Sequence, residues 1–192
     1  MAMCSLRQAA LLAAAWSVPA WMHAQGDRRS GAEPHPVATT ARATSALTID
    51  HARRIARLAL QAGLQQGPQP ELNFNGASMG ELELRVPLGW TVALQFENVG
   101  TAHHSVRVVS DDELAIDLHP AAFSGAQSPD PVLGSASGSV HLVSFVAGRA
   151  GRYRIACAVP AHGFAGMWIR LTVDSTARVA ALIEHRGGRT TH

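Results

Sequence analysis

From Leu72 onward the chain alternates apolar and polar residues in short runs, each cut off by Gly, Pro or Asn. A period of two is the mark of half-buried β-strands, and it excludes a helical bundle for this stretch. Glu81 to Val86 alternates and stops at Pro87; Thr91 to Phe96 alternates and ends at Asn98-Val99-Gly100. Ser105 to Val109, Val140 to Val146, Arg152 to Cys157 and Trp168 to Val173 are four further runs. Short strands separated by turn residues predict an all-β sandwich or barrel. Between the third and fourth runs lies a Pro/Gly/Ser-rich segment, 111–139. Loops of that length commonly carry function. Residues 47–62 fit two patterns: Ile49, Ala52, Ile55, Ala56, Ala59 and Leu60 form a helical stripe, while Ala56, Leu58, Leu60 and Ala62 alternate as in a strand. A helical turn followed by a strand satisfies both.

The rest of the chain frames this domain. Arg7, the apolar run Ala9 to Val18, Pro19 and then Trp21-Met22-His23-Ala24 read as a secretory signal peptide, residues 1–24, cleaved after Ala24. Residues 25–46 hold few large apolar side chains and read as a disordered tether. Residues 175–192 form a tail, with a short helix expected over 177–186. The chain has 16 Lys+Arg, 14 Asp+Glu and a net charge of +2. Its basic residues are scattered arginines matched by acids, so no nucleic-acid footprint is expected. Two cysteines exclude a Cys4 zinc site and allow one disulfide at most. Cys4 leaves with the signal peptide, and Cys157 is then a lone thiol in an exported, oxidising compartment. Such a thiol is buried or bound to something that needs it.

The chemistry gathers around that thiol. Cys157, His162 and Met167 follow one another at five-residue intervals in a loop leading into the last strand. Each alone has a plain reading: a buried small hydrophobe, a loop histidine, a core filler. Together they offer a thiolate, an imidazole and a thioether, a donor set suited to copper. Two histidines and a cysteine in a plane with a weak axial methionine make the blue-copper arrangement. The second histidine must come from a neighbouring strand, and His103 and His104 both stand at the start of the third run. His119 and His141 match no ligand position and read as surface or loop residues.

This loop resembles that of the blue copper proteins, or cupredoxins, with the spacing of the rusticyanin and sulfocyanin group. Leu72-Asn73-Phe74-Asn75-Gly76, Val86-Pro87-Leu88-Gly89-Trp90-Thr91-Val92, Ala122-Phe123-Ser124-Gly125-Ala126 and Gly166-Met167-Trp168 resemble sulfocyanin elements. The resemblance covers residues 47–174 and implies a Greek-key β-sandwich, which makes 55–62 a strand. It implies the ligands His104, Cys157, His162 and Met167 around one type 1 copper ion, because His104 precedes Ser105-Val106 as in the family. Ser105 then braces the ligand loop near the sulfur, and His103 is a non-ligand at the site mouth. Ala161 departs from the pattern, since the family usually has Gly there.

The resemblance further implies a one-electron carrier rather than an enzyme, cycling between Cu(I) and Cu(II) outside the cytoplasm, in the periplasm or on the outer face of the cytoplasmic membrane. The expected partners are redox proteins docking transiently near His162, Pro160 and Phe164. The chain is expected to be a monomer, with association to a membrane respiratory complex as a further expectation. The alternative is a copper chaperone or storage protein without a carrier role. A multicopper oxidase needs His-x-His pairs, and a binuclear copper domain needs two loop cysteines; the sequence has neither.

Overall fold

A computed structural model describes residues 46–113 and 116–185. The signal segment, the tether up to residue 45 and the end of the tail lie outside the described residues. The strands are β1 (Leu47–Asp50), β2 (Ile55–Ala62), β3 (Leu82–Pro87), β4 (Thr91–Asn98), β5 (Arg107–Ser110), β6 (Val140–Val146), β7 (Gly151–Ala156), β8 (Trp168–Asp174) and β9 (Ala181–Glu184). They form two sheets, ordered β1-β2-β4-β6 and β5-β7-β8-β3-β9. The fold is an all-β two-sheet sandwich, as the alternation predicts. Every connection from β2 to β7 passes from one sheet to the other. Two of the resulting neighbours, β2 with β4 and β3 with β8, therefore run parallel.

The core is the sum of the inward faces. Ala56, Leu58, Leu60 and Ala62 of β2 and Val92, Leu94 and Phe96 of β4 meet Leu82, Leu84 and Val86 of β3, Ile155 of β7 and Ile169 and Leu171 of β8. In β6 the inward residues are Val143 and Phe145, while Val140, Leu142 and Val146 stay exposed. Here register, set by pairing with β4, decides the face, because apolar residues occur on both sides of the strand.

Two expectations are corrected. Residues 47–50 are a strand, not a helical turn. β1 folds back antiparallel on β2 through a tight turn at 51–54, where the Asp50 carboxylate accepts the Arg53 N–H at 2.9 Å and Arg54 takes a φ of 55°. Ile49 and Ala56 of the helical stripe are instead register partners across that hairpin. The tail also carries no helix at 181–184: β9 pairs antiparallel with β3, with Leu182 opposite Leu84. Helix propensity loses there to the unpaired edge of β3, whose backbone groups the segment satisfies.

The long segment between β5 and β6 is ordered over its described part by Arg107. This arginine is nearly buried, and its guanidinium donates to the carbonyls of Ile116 (3.0 Å), Asp117 (3.2 Å) and His119 (2.8 Å) and to Gln127 Oε1 (3.0 Å). Phe123 then packs on Phe145 and Tyr153. Downstream, Ser135 exchanges backbone hydrogen bonds with His104, at 3.2 and 2.7 Å. The segment is thus a cover laid along the chain that carries His104.

Candidate metal centre

At one end of the sandwich three side chains from two loops converge. His104 lies between β4 and β5; Cys157 follows β7; His162 sits in the turn before β8. One ligand atom from each lies within 4.8 Å of the others. Cys157 Sγ is 3.6 Å from His162 Nδ1, and the two imidazole centroids are 5.2 Å apart. His104 and Cys157 are fully buried, and His162 is half-exposed at the surface.

The loop geometry follows from its backbone bonds. The Cys157 N–H donates to the Met167 carbonyl at 3.0 Å, and the Met167 N–H donates to the His162 carbonyl at 3.0 Å. These bonds draw the loop closed and set the buried Met167 beside the cysteine. Ser105 braces the same corner: its N–H points at Cys157 Sγ from 3.4 Å, its hydroxyl is 3.7 Å away, and that hydroxyl accepts the Ala158 N–H at 3.0 Å. Three other histidines weighed in the sequence lie outside this cluster. His103 is exposed, His119 pairs with Glu113 at 2.8 Å, and His141 bonds Ser135 Oγ at 2.9 Å and stacks on Phe96.

Sequence reasoning missed Glu71. Its carboxylate accepts the Thr101 N–H (3.1 Å) and hydroxyl (3.0 Å) and the Ala102 N–H (3.5 Å), and its Oε2 lies 3.4 Å from His104 Nε2. Gln65 Nε2 donates to Oε1. The buried Asn73 shapes the loop that brings Glu71 there, donating to the carbonyls of Leu64 and Gln69 at 2.8 Å each. The one signal was adjacency: Glu71 immediately precedes the Leu72-Asn73-Phe74-Asn75-Gly76 element.

Burial sets the protonation of the cluster. It holds both imidazoles below their ordinary range; Glu71 opposes this at His104, and His104 adds to it at His162. Burial raises the Cys157 thiol, against the hydrogen bonds from Ser105 and Val159. Burial alone would raise the Glu71 carboxyl too, but the Thr101, His104 and Ala102 donors hold it down to about 2. The cluster therefore offers two neutral imidazoles and a thiol, which a bound cation would deprotonate. Among the described residues, His104 Nδ1 is buried without a hydrogen-bond partner. Such an orphaned atom is costly unless something fills its lone pair. Two imidazoles, one thiol and a neighbouring thioether fit a copper ion better than a harder metal.

Ala161, beside His162, has a φ of 69°. A Cβ in that region costs about 1–2 kcal/mol, while Gly adds unfolded-state freedom worth about 0.4–1 kcal/mol. Ala161→Gly is expected to raise the stability of the metal-free protein by about 0.5–1 kcal/mol, read in chemical denaturation, because relief of strain exceeds that entropy.

Comparison with known proteins finds a matching family and similar solved structures. The Sulfocyanin (SoxE) domain family matches residues 46–183. The sulfocyanin of Sulfolobus acidocaldarius is 27% identical over 125 residues, covering 55% of this chain and 57% of that protein. The chain thus spans little more than half the length of this curated relative. Among solved structures, reduced rusticyanin is similar at 20% identity and a TM-score of 0.48, over 63% of this chain and 80% of that one. Dithionite-reduced auracyanin from Roseiflexus castenholzii is similar at 21% identity and a TM-score of 0.44, over 62% and 96%.

Proposed function

Because this chain belongs to the sulfocyanin (SoxE) domain family, we propose that it is a mononuclear type 1 copper protein that carries single electrons between redox partners outside the cytoplasm. The observation that carries the reading is the convergence of His104, Cys157 and His162, the first of them with a buried Nδ1 that has no partner among the described residues. Copper bound there supplies a one-electron couple, Cu(II)/Cu(I). His104, Cys157 and His162 would hold it, and Met167 would add a soft thioether donor.

The chain's own part is rigidity and access. His104 is clamped by Ser135, Cys157 by Ser105 and Met167, and His162 by the loop that closes on Met167. Ligands fixed before the metal changes charge need little rearrangement, which favours electron transfer over substrate chemistry. Of the three convergent ligands only His162 reaches the surface, so electrons enter and leave through its ring edge.

Around that edge stand exposed apolar residues. Phe164 is 85% exposed, Pro160 and Ala161 are exposed, and Met79, 60% exposed, sits against Gly166 of the same loop. An apolar patch of this kind suits a weak, transient interface with another redox protein. Export to the periplasm or to the outer face of the cytoplasmic membrane is part of this proposal, supported by the signal-like N-terminus; association with a membrane respiratory complex is a further part of it.

The test separates a carrier from a copper chaperone or store. The copper-loaded chain is reduced and reoxidised repeatedly in the presence of a copper chelator. A carrier bleaches and recovers its visible absorption with no copper lost. Transfer of the metal to the chelator at each cycle would favour the chaperone reading.

A further inference from the structure

We infer that Glu71 is the positioning residue for His104: it fixes which ring nitrogen faces the metal and places a permanent negative charge behind that ligand. The inference rests on the copper reading above and deepens it.

Among the described residues, Glu71 Oε2 is the hydrogen-bond partner of the His104 ring, at 3.4 Å from Nε2. A carboxylate only accepts, so Nε2 must carry the proton and Nδ1 the lone pair. That is the nitrogen left buried and partnerless among the described residues, on the ring that converges with the thiol and the second imidazole. A carboxylate behind a ligating histidine both selects its tautomer and raises its basicity.

The surroundings are built for this contact. A Cβ on Gly63 would stand 2.9 Å from His104 Nε2 and 2.6 Å from Gly100 Cα; one on Gly100 would stand 3.0 Å from the same Nε2. Two glycines thus let the backbone close over the Nε2 edge, where side chains would push the ring away. Glu71 itself takes a φ of 67°, a left-handed conformation that a non-glycine residue keeps only when its surroundings enforce it. Here they do: Gln65 and the Thr101 hydroxyl hold Oε1, the Ala102 N–H holds Oε2, and the Thr101 N–H reaches both oxygens. This strain and these donors spend conformational freedom on one carboxylate, and that carboxylate's remaining contact is the ligand.

The charge has a separate consequence. A fixed anion near the site favours the more positive oxidation state, so Glu71 holds Cu(II) against Cu(I) and lowers the reduction potential. Glu71→Gln keeps an acceptor for Nε2–H and removes the charge. Glu71→Ala removes both. In the full copper-loaded chain, Glu71→Gln is expected to keep the visible band and one copper per chain, while the Cu(I)-to-Cu(II) affinity ratio rises about tenfold, a shift of about 59 mV upward. Glu71→Ala should show the same upward shift and lose about 10–100-fold in Cu(II) affinity.

A merely structural residue would lower the unfolding midpoint in both variants and leave the potential of the folded protein unmoved; that result overturns the charge. The tautomer is read without any variant. Nitrogen-15 NMR of the copper-free wild-type chain should show His104 protonated at Nε2 and bare at Nδ1; a proton on Nδ1 overturns the positioning. A wild-type chain that binds no copper contradicts the copper reading instead, and the NMR measurement still decides the tautomer.

Discussion

Cys157→Ser is expected to abolish the visible absorption of the copper-loaded protein and to cut copper affinity by more than about 100-fold, beyond the loss caused by an outer partner alone. The physical reason is the donor atom. The visible band requires charge transfer from a thiolate to Cu(II), and a serine hydroxyl is a hard, protonated oxygen with neither the orbital nor the softness. The fold should survive. Serine nearly matches cysteine in size, and the Ser105 N–H and hydroxyl already aimed at Sγ from 3.4 and 3.7 Å can satisfy the new oxygen. Far-ultraviolet circular dichroism should therefore be unchanged while the visible spectrum is blank. Unfolding of the variant would make the result one of packing and not of ligation.

Arg107→Ala is expected to destabilise the metal-free protein by about 3 kcal/mol in urea titration. Its guanidinium satisfies three main-chain carbonyls and Gln127 from a position 7% exposed. Hydrogen bonds to charged groups are worth about 1.5–3 kcal/mol each, and some of the freed carbonyls recover water when the cover loosens. Arg107→Lys should rescue little, because one ammonium cannot reproduce the planar fork. The damage should extend to the site. The segment Arg107 pins also supplies Ser135 to the backbone of His104 and packs Ile116 against Gly163 of the ligand loop. Faster loss of copper to a chelator from Arg107→Ala than from wild type would show that the cover holds the ligands as well as the fold.

What could be read from the chain alone was whatever one strand or one loop encodes by itself. The alternation of β3, β4, β7 and β8 is local, as is the spacing of Cys157, His162 and Met167, and both are plain in the sequence. What eluded reading depends on partners far along the chain. β9 is a strand because β3 has a free edge, not because Ala181–Glu184 prefers one. β6 has apolar residues on both faces, and only its register with β4 shows which are inside. Glu71 reaches His104 across 33 positions of sequence, from a loop with no periodic signal, carried there by the hydrogen bonds of Asn73. Arg107 looks like one more outward strand residue until the segment it organises folds over it. The expected choice of His104 over His103 came from the family resemblance; in the structure His104 is buried with the cluster, and His103 is exposed.

The central claim is that His104, Cys157, His162 and Met167 form one copper site. Titrating Cu(II) into the metal-free wild-type chain, with Cys157→Ser as the blank, tests it most directly. An intense visible band is expected to grow linearly and stop at one copper per chain, and to be absent from the blank. A colourless protein that retains no copper after desalting would contradict it.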